Sequence, residues 1–388
     1  MKLIKNKPVY AQKNKTYFGL CLRGVLKAFV VFSIMQTVTV GAYTWASSES
    51  NNESLVQNQQ TSNVLRHTLE KSLFTLPPRK QGHYGIRLYR LTGNKKYLST
   101  SLYDTYVVAD HLDFIANRLG DESYIKSYIK RAQRKQPDNY KGNLRRAVLA
   151  GNSEFLFYSS AILPFMNRLD ELGLKSVHNE QLYAALKKYD FKSTLLKPEV
   201  IRAWAAQSAN WVYWLHQLGI VDLRKPYKEA FIKTFEDESR LKGDAYINKV
   251  YGLTHFIFAA SRYYQQPIDK KEFAWIYDYF EKNIARILSE TKPDVIAEVG
   301  VSFLLAGEAY HPVVKQCRQS IRQAIDKEHK MIPSVDGEWD LARGEHRNVL
   351  AFMLFYLPRP LHPGPYLAND DKFRSYLPKN VVIKSVQR

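Results

Sequence analysis

The sequence predicts an all-α fold, an (α/α) barrel or toroid of helical hairpins, preceded by one N-terminal transmembrane helix. Three observations carry this expectation. Apolar residues recur at helical spacing through most of the chain, with little strand signal. In the second half, segments apolar on every side alternate with amphipathic ones. A basic N-terminus leads into an uncharged stretch of near-bilayer length. Hydrophobic residues make up 45% and charged residues 24% of the 388, which excludes a disordered chain. Two cysteines are too few for a disulfide scaffold or a cysteine-rich metal cluster.

Residues 1–27 hold seven Lys and Arg and no acid, and read as a basic cytoplasmic segment. Residues 28–46 (AFVVFSIMQTVTVGAYTWA) follow without a charge. As a helix they span about 28 Å, close to the hydrocarbon thickness of a bilayer. Gln36 and three threonines weaken their hydrophobicity, so the segment reads as a transmembrane helix or uncleaved signal. Cleavage after Ala42 or Ala46, or a buried soluble helix, are the other readings. Cys21 and Cys317 then lie on opposite sides of the membrane, and Cys317 shares an apolar helix face with Val314, Ile321 and Ala324, as a buried thiol would.

The net charge is +20; without residues 1–46 it is still +13, with 50 basic against 37 acidic groups. That balance suits an acidic glycan or another anionic envelope component, or else merely keeps the fold soluble. An exported position argues against nucleic acid.

Residues 47–62 are polar and read as a linker to a helical domain over 63–357. Leu98, Leu102, Tyr106, Ala109, Leu112, Ala116 and Leu119 step by three and four along one helix, and Trp204, Ser208, Trp211, Leu215 and Leu218 along another. Gly120, Gly173, Gly219 and Gly307 stand where helices should stop. Residues 248–264, 293–307 and 345–357 are apolar nearly all round and predict surrounded inner helices; 271–290 and 312–330 are amphipathic and predict outer ones. Segments 81–93, 143–170 and 198–218 supply the remaining inner helices, and 358–388 reads as a proline-rich C-terminal tail.

The string GHYGIRLYRLTGNKKYL at 82–98 resembles hairpins of (α/α)-barrel carbohydrate-active enzymes, and GEWDLARGEHRN at 337–348 is similar to the closing loop and last inner helix of such toroids. From about residue 60 to 370 the chain resembles a bacterial family known only as a domain of unknown function, which implies the architecture and no activity. With the charge pattern, it places the domain in the periplasm, on a single-pass anchor in the bacterial inner membrane.

In a toroid the inner helices converge on a central cavity, so their buried polar residues are the candidates. Glu298 is the only charge between Val295 and Gly307, and Asp294 lies one turn before it. Together they suit a general acid and base or a shared cation; otherwise Glu298 accepts a buried bond from Arg or His and Asp294 favours the helix start. His255 with Tyr251 four residues earlier suits proton transfer, or a satisfied core histidine. Glu345, His346 and Arg347 open the last inner helix; Arg347 would bind a substrate carboxylate or pair with Glu298. His83 sits in a basic cluster at the start of the helix carrying YRLTG. Short metal-ligand spacings, a glycine-rich phosphate loop and a nucleophile elbow are missing, so no metal or cofactor is expected. The expected function is an enzyme acting on acidic glycans, lyase or hydrolase. Glu298, His255, Asp294 and Tyr251 would be catalytic, and His83, Arg347, His346 and Glu345 would bind substrate. The alternative is a non-catalytic envelope protein that binds glycan or protein.

Overall fold

The computed structural model describes residues 54–151 and 154–384. The expected basic segment 1–27, the membrane segment 28–46 and the first part of the linker lie outside these residues. Among the described residues no helix is long and apolar enough to cross a membrane.

The chain begins with α1 (54–71), α2 (Pro78–Thr92), α3 (Leu98–Ala116), α4 (Glu122–Arg134), α5 (Tyr140–Gly151) and α6 (Leu163–Glu171). A short strand β1 (Leu174–Ser176) precedes α7 (Asn179–Lys188), α8 (Phe191–Leu195), α9 (Pro198–Ala203), α10 (Ala205–Gln217) and α11 (Arg224–Thr234). Then come α12 (Asp244–Ala260), α13 (Ala274–Glu290), α14 (Pro293–Leu305), α15 (Pro312–Ala324), α16 (Leu341–Tyr356), α17 (Asp371–Arg374) and β2 (Val381–Ile383). Among the described residues the fold is all-α apart from one two-stranded sheet, and residues from Gln59 onward form one unit.

The expected alternation is present. Helices α12, α14 and α16 bury most of their residues, whereas α13 buries only Ile276, Tyr277, Phe280 and Ile287 and α15 only Val313, Val314, Cys317 and Ile321. Packing runs from α2 to α16, α14, α12, α10 and α6, then through α3 back to α2. Close approach matters at the last step. A Cβ on Gly85 would sit 1.9 Å from Thr100 Oγ1, so only glycine lets α2 lie against α3 there.

Three segments differ from the sequence reading. Residues 54–62 are helical, not a linker, because their polar side chains stand on the same helix that buries Leu65 and Leu69 one turn apart. The span 143–170 is not one helix: α5 ends at Gly151, and a π turn over Phe157–Ile162 precedes α6, whose Pro164 lacks the N–H a continuous ladder needs. The proline-rich tail is part of the domain. Its Val381, Val382 and Ile383 pair antiparallel with Ser176, Lys175 and Leu174, since a β-branched run beside an open edge forms a strand. Arg90 ties the tail further, its Nε donating to Gly364 O at 2.7 Å.

Candidate functional site

The eight candidate site residues lie on α2, α12, α14 or α16, and five of them form one connected cluster of titratable groups. His83, on the second turn of α2, has Nδ1 2.7 Å from Glu345 Oε1. Burial, then the nearby Arg87, pushes the His83 imidazole down to about 3, against the pull of Glu345. Burial raises the Glu345 carboxyl, but His83 and Arg87 outweigh it and hold it below the usual carboxylate range. An ionised Glu345 beside a neutral imidazole fixes the tautomer: Nδ1–H donates to Oε1, and Nε2 keeps a free lone pair. The second oxygen, Glu345 Oε2, is buried with no hydrogen-bond partner among the described residues.

The His346 ring lies 5.4 Å from that of His83, and its Nε2 is 3.6 Å from Glu298 Oε1. On the other side of the same oxygen stands His255 Nε2, at 3.7 Å. Thr254 donates to Glu298 Oε2 at 2.6 Å, but Oε1 has no hydrogen-bond partner among the described residues. Two buried carboxylates are thus half-satisfied within one cluster, an arrangement that costs free energy unless something further binds there. The cluster also reaches water: the Glu298 side chain is 1% exposed and that of His346 35%.

His255 is held by groups the sequence did not point to. Its Nδ1 is 3.0 Å from Asn210 Oδ1 on α10 and 3.5 Å from the Tyr263 hydroxyl. Asn210 accepts, so Nδ1 carries the proton and Nε2 presents its lone pair beside Glu298. Burial pushes His255 down to about 4, opposed by Glu298, so the ring is neutral near pH 7. Tyr263 belongs to a turn in which Arg262, Tyr263 and Tyr264 take φ of 51°, 54° and 71°. Three consecutive non-glycine residues in the left-handed region cost roughly 1–3 kcal/mol each, a strain typical of functional sites. Asn210 had one visible signal, a polar residue in a largely apolar helix; the turn had none.

The remaining three candidates make a separate set. Tyr251 donates to Asp294 Oδ2, and Arg347 Nη2 donates to Asp294 Oδ1 at 3.2 Å while Nη1 donates to Pro333 O at 2.6 Å. Arg347 therefore pairs with Asp294, not Glu298, and its fork is occupied. Among the described residues Asp294 and Glu298 have different cationic or imidazole neighbours, because the guanidinium reaches the first turn of α14 and the imidazoles the second. Tyr251 is spent on Asp294, so the tyrosine that serves His255 is Tyr263. Lys141, also missed, lies 5.9 Å over the Tyr251 ring, and burial, then Arg145 and Lys292, pushes its ammonium down to about 8. Among the described residues, no group of three or more His, Cys, Asp or Glu side chains is arranged to hold a metal ion.

This geometry sits inside a recognised sequence family. Residues 58–384 match the model of a family described as a domain of unknown function, DUF3541. The chain belongs to that family. No curated protein and no solved structure matches it. The match begins within α1 and ends one residue past β2, so the DUF3541 unit includes the folded tail as well as the titratable cluster.

Proposed function

We propose that this DUF3541 domain is a lyase acting on uronate-containing glycans, with its hairpins closed into an (α/α) toroid around the His–Glu cluster. The single observation that carries the reading is His255, neutral, with Nδ1–H directed to Asn210 and its Nε2 lone pair left beside Glu298. The closed order of helix packing supports the toroid. The basic flank and the uncharged segment 28–46 support an anchored domain on the outer face of a bacterial inner membrane.

In this reading the substrate carboxylate sits against the Asn210 amide NH2, with Lys141 supplying positive charge. Neutralising that carboxylate acidifies the adjacent C5–H. His255 Nε2 takes the C5 proton, the electron pair forms the C4=C5 double bond, and the C4–O glycosidic bond breaks. The departing oxygen takes a proton from the Tyr263 hydroxyl, whose pKa burial and the neighbouring Tyr264 raise far above its ordinary value. Glu298 stabilises the imidazolium formed at His255. The His83–Glu345 pair completes the wall on the other side of His346.

The two half-satisfied carboxylates, Glu298 and Glu345, favour glycoside hydrolysis as a second reading. One assay separates the readings: incubate the full chain with polyuronates and follow ultraviolet absorbance from the unsaturated uronate. Growth of that band, lost in His255→Ala, is the expected result. New reducing ends without the band mean hydrolysis. Binding without any cleavage means the non-catalytic envelope module.

A further inference from the structure

The far end of the inner helices carries a second feature, chemically unlike the cluster. Glu171, Gln217 and Arg262 lie at or just past the C-terminal ends of α6, α10 and α12, and with β1, β2 and the tail they line a groove of about 720 Å³. A smaller recess of about 300 Å³ shares Asp170, Lys175, Gln217 and Lys384 with it. These volumes fall in the range of sites that hold small molecules, about 300–1,000 Å³.

The charges in the groove are not balanced locally. Its two acids are already committed: Asp170 to Lys384 at 2.5 Å, and Glu171 to Arg90 at 3.1 Å and Asn167 at 2.9 Å. Lys175 and Arg262 line the same groove, and neither side chain has an ion-pair or hydrogen-bond partner among the described residues. Arg262 is also the first residue of the left-handed turn, at φ 51°, and the turn is held in place by Arg90 Nη1 donating to Tyr263 O at 2.9 Å. Backbone strain that the surrounding structure enforces is a mark of a functional position. Tyr366, 41% exposed, offers a ring beside these cations, and Asn369 an amide.

We propose that this groove is a second, non-catalytic binding site for a carboxylate-bearing sugar, with Arg262 and Lys175 on the carboxylate and Tyr366 against the sugar ring. A guanidinium fork matches a carboxylate with two parallel bonds, and an aromatic face suits the apolar side of a pyranose. The chemistry of the groove is independent of the reaction proposed for the central cluster.

The test is calorimetric titration of the full chain with glucuronate, glucose and inorganic phosphate. The proteins compared are wild type, Lys175→Ala/Arg262→Ala, Lys175→Glu and His255→Asn. Because the central cluster would also take a uronate carboxylate, the expected isotherm has two glucuronate sites. One of them weakens at least tenfold in the double variant and in Lys175→Glu and is kept in His255→Asn, with glucose at least tenfold weaker there. Circular dichroism checks each fold, and if Arg262→Ala unfolds the chain, Lys175→Glu decides alone. Two unchanged glucuronate sites in the folded groove variants overturn the proposal, as does loss of the groove site in His255→Asn or phosphate binding there as tight as glucuronate. Failure of the lyase assay leaves this outcome untouched, so the two readings fall separately.

Discussion

Helices α14 and α15 are both thirteen residues long, each opens on a proline, and they pack against each other. Their side chains nevertheless meet opposite fates. In α14 twelve residues are buried, and in α15 four, at 313, 314, 317 and 321. A charge on α15 has easy options: Lys315 faces water, and Arg318 donates to Leu354 O at 3.0 Å and Leu357 O at 2.8 Å, capping the end of α16. A charge on α14 has none of that latitude. Asp294 is committed to Tyr251 and Arg347, and Glu298 to Thr254 through one oxygen, while the other stands 3.7 and 3.6 Å from two imidazoles with no hydrogen bond among the described residues. The contrast shows where to look for function: a charge that burial makes costly is kept only with partners or with a task.

The largest expected effect tests that task. Glu298→Gln should lower glycan cleavage by about three orders of magnitude, because the imidazolium formed at His255 loses the carboxylate that stabilises it, while leaving the fold intact by circular dichroism. Activity within tenfold of wild type would reduce Glu298 to scaffold and remove the chemical half of the contrast. Next comes packing. Phe303→Ala on α14 should destabilise by about 3–5 kcal/mol in urea unfolding, whereas Lys315→Ala on α15 should stay within about 0.5 kcal/mol. Equal losses at both positions would mean that α15 is not an outer helix in solution.

Of comparable size is the loss of the Asp294–Arg347 pair, whose side chains are each 9% exposed. Arg347→Ala should cost about 3–5 kcal/mol because it leaves a buried carboxylate without its counter-charge, Tyr251 being its one remaining side-chain partner among the described residues. Replacing both partners by apolar residues should recover part of that, which a double-mutant cycle measures.

Acid should then bring a smaller, graded loss. Burial depresses His83 to about 3 and His255 to about 4, below the ordinary imidazole value near 6.5. The unfolded chain therefore binds more protons than the folded one between those values, and stability rises with pH across that window. The contribution is fully present above about pH 6.5 and lost as pH falls through 4 and then 3, on a scale of about 1.4 kcal/mol for each tenfold difference in proton affinity between the folded and unfolded chain. Urea unfolding of wild type and His255→Asn at descending pH checks this: the variant should show the shallower slope. The smallest effect concerns Cys317, which is fully buried and whose thiol burial pushes up to about 12. A thiol reagent should label it only as the chain unfolds.

Much of the helical plan was legible because burial writes itself into periodicity. A segment such as VIAEVGVSFLL, with no polar face, can only be surrounded, and one such as VVKQCRQSI can only lie on a surface. The site candidates were legible for the same reason: Glu298 and His255 stood out as polar residues in apolar helices. Their roles were not. In sequence Arg347 was open to a substrate carboxylate or to Glu298, yet it reaches Asp294, because which turn a side chain faces depends on the rotation of α16 against α14. Tyr251 looked like the partner of His255 by its four-residue spacing, but Tyr263 takes that place through a left-handed turn that no residue type announces.

The all-α class, the alternation of buried and exposed helices and the set of polar residues held inside were therefore written in the chain itself. They follow from local composition and the helical period, which act over a few residues. Tertiary packing settled the rest: who pairs with whom, that 54–62 and the tail are folded, and that two cations at the far end have no partner among the described residues. Those outcomes depend on contacts between residues far apart in the chain, as when Lys175 lies opposite Val382 across the small sheet, and on the desolvation that makes each unpaired charge count.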